Sequence, residues 1–175
     1  MRRNPVLLIA PLLLASCAPS MMAPNAGTTD GLFLQAITGS NLFEIQSSQV
    51  ALSKATTPAL KAYAQHLIDD HQKAQAMVST LAAARGVPLP KVLPPELMLK
   101  VNTLAMMDGA AFEKAYLQEQ VVAHQFTLSL LQNEQLGGKD AAVVAFANEQ
   151  VGPIQEHLAQ AQAMMMPDGA VPMNH

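Results

Sequence analysis

The sequence has little from which to build cross-links or an aromatic core. Its 175 residues include no tryptophan, two tyrosines, five phenylalanines and one cysteine, Cys17. A single cysteine excludes a disulfide within the chain, and the scarcity of aromatic residues indicates a core of aliphatic side chains. No segment has the apolar and polar alternation of a strand, so the pattern predicts an all-α fold.

Charged residues are also few, at 13% of the chain, and the net charge is −3 at pH 7. The basic patch that nucleic-acid binding requires is absent, so we expect no nucleic-acid partner. The sequence has no nucleophile beside a base, no glycine-rich phosphate loop and no zinc-finger cysteine spacing. None of these enzyme or binding-module classes is therefore indicated.

The first residues have the features of a secretory signal. Arg2 and Arg3 precede a short apolar run, and small residues lead up to Cys17. The run is too short to cross a bilayer, which takes roughly 20 apolar residues. The sequence Leu-Ala-Ser-Cys at residues 14–17 resembles the bacterial lipobox, which implies that residues 1–16 are a lipoprotein signal peptide and that Cys17 is acylated.

Lipidation at Cys17 would make the membrane a partner of the mature chain. Ala18 rather than aspartate follows the cysteine, and by resemblance to sorted lipoproteins this favours the outer membrane of the cell envelope, facing the periplasm. Residues 17–29 and 167–175 are rich in small and polar residues and are expected to be a flexible tether and a flexible tail. Residues 30–166 then form one domain, and no protein partner is indicated.

Helix signals divide this domain into four long helices. The first begins at Asp30, a plausible N-cap, and the second begins at Thr57-Pro58 and ends at Gly86. A proline-rich crossover and a short helix at 96–107 follow, before a third long helix capped by Asp108 and a fourth that begins at Asp140. Two short connections and one longer crossover predict an antiparallel four-helix bundle.

Three histidines interrupt the apolar stripes of the later helices. His71, His124 and His157 each lie near the middle of a helix, and Glu44 has the matching height on the first helix. Neutral imidazoles on facing helices are suitable metal ligands. One hypothesis is therefore that these four residues bind one transition-metal ion and that neighbouring side chains orient the ligands, namely Asp70, Tyr116 and Glu156.

The same residues have a second interpretation, in which they satisfy each other's hydrogen bonds. Glu44, the histidines and Tyr116 would then form a polar layer that specifies helix register without any activity. This alternative favours a non-enzymatic structural or interaction module of the envelope. The structural or interaction module is the favoured prediction, and the metal-binding protein is the alternative.

The chain also resembles DUF4142, a family of ferritin-like bacterial envelope proteins. The resemblance extends over about residues 30–165 and rests on short segments in all four long helices: Phe33-Leu34-Gln35-Ala36, Phe43-Glu44, Ala62-Tyr63-Ala64-Gln65, Ile68-Asp69-Asp70-His71, Gly109-Ala110-Ala111-Phe112, Ala115-Tyr116-Leu117, His124 and Glu156-His157-Leu158. It implies a ferritin-like bundle but no particular activity.

Di-iron enzymes of the ferritin-like fold use Glu-x-x-His motifs, and this chain lacks them. The residues three before the histidines are Ile68, Val121 and Ile154, none of which can bind iron. Ala123 also replaces the acidic residue that family members tend to have before the third-helix histidine. A ferroxidase is therefore disfavoured, and the prediction leans against an enzyme.

Overall fold

The computed structural model describes residues 25–166, which form five helices and no strand. The helices are α1 (Thr29–Lys54), α2 (Pro58–Arg85), α3 (Pro95–Ala105), α4 (Gly109–Gly137) and α5 (Ala141–Met165). The predicted all-α class is confirmed, and α3 is the short helix expected within the crossover. The signal peptide, Cys17, most of the tether and the tail lie outside the described residues.

The boundaries of α2 follow from local chemistry that the sequence shows. The Thr57 side chain accepts a hydrogen bond from the backbone N–H of Leu60, and Pro58 opens the first turn. Gly86 ends the helix in a left-handed conformation, with φ of 64°. Glycine adopts this conformation without steric cost, so it terminates the helix.

The predicted role of Asp30 as the N-cap of α1 is wrong. Thr28 is the N-cap, and its side chain accepts from the backbone N–H of Gly31. Asp30 lies inside the first turn, buried, where its carboxylate accepts hydrogen bonds from the backbone N–H groups of Lys139 and Asp140. It thereby joins the start of α1 to the start of α5.

Hydrogen bonds between helices define an antiparallel bundle with one crossover. On α1, Ser40 pairs with Thr127 of α4, and Ser48, two turns later, pairs with Tyr116, which is three turns earlier on α4. The two helices are therefore antiparallel. α1 packs on α2 as well, and α4 on α5. Since α2 and α4 are both antiparallel to α1, the chain must return along the bundle between them, which requires the predicted crossover.

The core consists of two apolar clusters at different heights of the bundle. One gathers residues from the start of α1, the end of α2, the end of α4 and the first half of α5, and includes Leu34, Val78 and Leu131. The other gathers the opposite ends of these helices and includes Leu67 and Phe112. No helix within residues 25–166 is long and apolar enough to cross a membrane.

Candidate metal centre

A buried polar layer lies between the two apolar clusters. Each of the four long helices contributes one ionisable side chain to it: Glu44 from α1, His71 from α2, His124 from α4 and His157 from α5. All four are at most 2% exposed to solvent. Glu44 and the three histidines thus lie at one level of the bundle, between the two apolar clusters.

The three histidine rings contact one another. Their centroids are 5.7 Å apart for His71 and His124, 5.5 Å for His71 and His157, and 5.4 Å for His124 and His157. Each ring offers one nitrogen that is within 4.8 Å of a nitrogen of the other two. Atoms that bind one ion at about 2 Å are at most about 4 Å apart, so the separations between the three nitrogens are close to those that a shared ion requires.

One nitrogen of each ring is held by a hydrogen-bonding partner. His71 Nδ1 is 2.9 Å from Asn41 Oδ1, and His124 Nδ1 is 2.8 Å from the backbone oxygen of Gln120. His157 Nε2 is 3.2 Å from Asp70 Oδ2. These oxygens can only accept, so in each neutral ring the bonded nitrogen holds the proton.

The other nitrogen of each ring has no partner within residues 25–166. These atoms are His71 Nε2, His124 Nε2 and His157 Nδ1, and all three are buried. Because the proton of each neutral ring is on the bonded nitrogen, the unpartnered nitrogen has a free lone pair. This is the arrangement of metal-binding histidines, in which one nitrogen binds the ion and the other donates to an orienting oxygen.

The electrostatics of the layer keep the rings neutral. Burial lowers the pKa of His71 well below its usual value, and the adjacent histidines lower it further. Burial also lowers the pKa of His124 to about 4, and it lowers the pKa of His157 against the opposing effect of Asp70. The imidazoles are therefore in the ligand form at neutral pH.

Glu44 lies beside the histidine trio and not within it. Its Oε1 is 3.8 Å from His124 Nδ1, the nitrogen that already donates to Gln120. It is absent from the group of ligand atoms that lie within 4.8 Å of one another. Neither carboxyl oxygen has a hydrogen-bond partner in the described part of the chain, and burial raises the pKa of Glu44 well above its usual value.

The three predicted orienting residues have different surroundings. Asp70 contacts His157, as described above. Tyr116 is buried but pairs its hydroxyl with Ser48, 2.8 Å away, and stacks on Phe112. Glu156 is exposed and accepts a hydrogen bond from Gln160. Of these three predicted residues, only Asp70 makes a hydrogen bond to one of the histidines.

Sequence reasoning missed two orienting groups, Asn41 and the backbone of Gln120. Asn41 lies one turn before Glu44 on the same buried stripe of α1, so its spacing was a usable signal. The Gln120 oxygen is a main-chain atom one turn before His124, and any residue type supplies it. No side-chain pattern could have identified that contact.

The family described as a domain of unknown function, DUF4142, matches residues 15–164. The chain belongs to the DUF4142 family. No curated protein matches it. The family's description assigns no activity, so the site must be interpreted from its own geometry.

Two solved structures share the fold of this DUF4142 protein. A DUF305 fragment from Deinococcus radiodurans superposes with a TM-score of 0.70 at 12% identity, over 78% of this chain and 94% of that one. CopM in its Cu(I)-bound form superposes with a TM-score of 0.65 at 18% identity, over 77% of this chain and 94% of that one. At such identities the likeness shows the helical fold alone.

Proposed function

We propose that this DUF4142 protein binds one transition-metal ion between His71, His124 and His157, without catalysing a reaction. The observation that supports it best is the set of three buried, unpartnered nitrogens, each on a ring oriented by a bond to its other nitrogen. A buried nitrogen without a partner costs about 1–3 kcal/mol. Three such nitrogens in one buried layer lower the stability of the fold unless an ion binds them.

The ligand chemistry narrows the choice of ion. Imidazole nitrogens suit zinc, copper, nickel and iron, and they are poor ligands for calcium and magnesium. The fold shared with Cu(I)-bound CopM makes copper a natural ion to test beside zinc. Because the three histidines are at most 2% exposed, a substrate in solvent would not reach an ion between them, which supports a non-enzymatic role.

Glu44 would balance part of the charge of a bound cation. Its raised pKa favours the protonated form when the trio holds no ion. A cation in the same buried layer would favour the carboxylate, so binding should release a proton. We therefore propose that Glu44 is not a ligand but a residue that compensates the charge of the bound ion.

We further propose that the bundle works at the cell envelope, attached to the outer membrane through acylated Cys17. Support comes from the lipobox-like sequence at residues 14–17. The bundle with the proposed metal site would then lie on the periplasmic side of that membrane.

Metal titration of the purified protein tests the proposed site. After chelator treatment and desalting, the chain is titrated with Zn²⁺ and, without oxygen, with Cu(I), and bound metal is counted by mass spectrometry. We expect one ion per chain and a raised thermal midpoint, since an ion at 100 times its Kd stabilises the fold by about 2.7 kcal/mol.

The informative variant is His71→Gln with His124→Gln, which removes two of the three ligands. The matched control is Gln72→Ala with Gln125→Ala, which changes the exposed neighbours on the same two helices. We expect the histidine variant to lose at least 100-fold in affinity and the control to bind as the wild type does. Substoichiometric metal in the wild type, or equal binding by the histidine variant, would overturn the proposal.

A purely structural layer is the second candidate, and hydrogen bonds from α1 favour it. Ser40 pairs with Thr127, Ser47 accepts from Gln120 Nε2 at 3.1 Å, and Ser48 pairs with Tyr116. These bonds constrain the register of α1 against α4 without any ion. This candidate predicts the same thermal midpoint with and without metal, which the titration also measures.

A further inference from the structure

His157 contacts a second group of potential ligands on its other side. His66 and Asp70 lie one turn apart on α2, and their side chains together with His157 form a group whose ligand atoms are within 4.8 Å of one another. Asp70 Oδ2 is 3.6 Å from His66 Nε2 and 3.2 Å from His157 Nε2. The rings of His66 and His157 meet edge to face at 5.1 Å.

The second group connects the surface with the core. The side chain of His66 is 43% exposed and that of Asp70 is 29% exposed, whereas that of His157 is 2% exposed. His157 is also a member of the buried trio, and its Nδ1 lacks a partner in the described structure. His157 is thus common to both groups, with Nε2 beside Asp70 and Nδ1 free to bind an inner ion.

We propose that His66, Asp70 and His157 form an entry site that captures a divalent transition-metal ion from solvent and passes it to the inner trio through His157. This inference rests on the proposed function of the inner trio. An imidazole and a carboxylate at the surface are suitable first ligands for such an ion. The inner trio is buried, and this group offers ligands on the path to it.

The proton of His157 makes the two positions mutually exclusive for a neutral ring. An ion on the outer group takes the lone pair of Nε2 and leaves the proton on Nδ1. An ion on the inner group takes Nδ1, and Nε2 then holds the proton and donates it to Asp70. Passage inward therefore breaks the metal–Nε2 bond and forms the metal–Nδ1 bond. The Nδ1 proton is released to solvent, and Nε2 takes one proton from solvent beside Asp70, so the ring stays neutral and no net proton is gained or lost.

Lys73 is the competing group at the entry site. Its ammonium is 3.1 Å from Asp70 Oδ1 and is largely exposed. An arriving cation would displace this ammonium from Asp70 at little cost, because solvent screens exposed ion pairs and they stabilise the fold only weakly. Because His66 and Asp70 are partly exposed, an ion there exchanges with solvent, whereas the buried inner site retains the ion.

The rate at which the metal-free protein takes up metal tests the entry site, whereas the final affinity tests the inner site. Co²⁺ is mixed with the full mature chain in a stopped-flow instrument, and its visible absorption reports coordination by nitrogen ligands. For His66→Gln we expect the same final stoichiometry and the same Kd as wild type, but loading and chelator-driven release both at least 10-fold slower. Asp69→Asn is the matched control, since it removes an exposed acid beside the site, and it should load at the wild-type rate.

The variant His71→Gln with His124→Gln tests the outer group by itself, because it retains all three outer residues. We expect it to bind one Co²⁺ weakly and to lose this binding when His66→Gln is added. Circular dichroism confirms that each variant is folded.

The outcomes distinguish this proposal from the proposed function. A wild type that takes up no cobalt overturns both. A wild type that binds one ion while His66→Gln loads at the same rate overturns the entry site alone. Two ions bound to the wild type together would also overturn it, because the inner and outer groups would then be filled at once.

Discussion

A neutral imidazole has one N–H group, so only one of its two nitrogens can donate to an acceptor oxygen. In each of the three core histidines one nitrogen is bonded in this way and the other is not. The oxygens of Asn41, Gln120 and Asp70 each accept from one ring. The remaining lone pairs have no donor within residues 25–166. Donors such as serine hydroxyls lie in the same layer but bond elsewhere, so the lone pairs remain available to an ion.

Glu134 of α4 is another buried carboxyl, and it lies beside Asp30 at the start of α1. We expect it to make the free energy of unfolding depend on pH. Burial and the adjacent carboxylate of Asp30 raise the pKa of Glu134 to about 7. Because this folded value exceeds the unfolded one, the protonated form stabilises the fold fully below about pH 4.5, and the contribution is lost as the pH rises through 7.

The variant Glu134→Gln should remove this loss. At pH 8 we expect it to exceed the wild type in free energy of unfolding by on the order of 2 kcal/mol, while at pH 4.5 the difference should be near zero. Urea denaturation at both pH values measures it. Exposed Glu149→Gln is the control, and an equal effect of both variants at pH 8 would contradict the role of burial.

At the scale of elements, the ends of the helices depend on single side chains. Thr57 satisfies one of the free amide groups at the start of α2, where no backbone acceptor is available. We expect Thr57→Ala to lower the free energy of unfolding by about 1 kcal/mol in urea denaturation. Thr80→Ala, at an exposed position in the second half of α2, is the control and should be neutral or slightly stabilising because alanine favours helix.

Most of the helix boundaries were predictable because their signals are local. Thr57-Pro58 and Gly86 act through contacts within one turn, and both predictions are confirmed. The start of α1 was predicted wrongly because Asp30 bonds to residues more than 100 positions away. Threonine at 28 and aspartate at 30 are both acceptable caps, and tertiary contacts decide between them.

For the whole molecule, the direction of the helices explains why the histidines meet. Adjacent helices are antiparallel, so the middle of each helix has the same height in the bundle. The crossover through α3 lets α2 and α4 run in the same direction. A histidine near the middle of each of three helices therefore reaches one layer.

The attachment of the molecule to the envelope is testable by mass spectrometry. In a bacterial host we expect the mature chain to begin at Cys17 with three acyl chains, and to fractionate with membranes. Cys17→Ala should keep residues 1–16 and have no acyl mass, because the lipid-accepting thiol is gone. Ser16→Ala, which keeps a small residue before the cysteine, should be processed normally; an acylated Cys17→Ala chain would exclude this anchor.

The sequence by itself determined the helical class, the long helices, the crossover and the three central histidines, because periodicity, caps and breakers act over a few residues. Only the tertiary structure decided which nitrogens are free, that Glu44 stands beside the trio, and that His66 and Asp70 meet His157 on its outer side. Those facts depend on the rotation of helices about their axes and on ring orientation. Both result from packing among residues far apart in the chain.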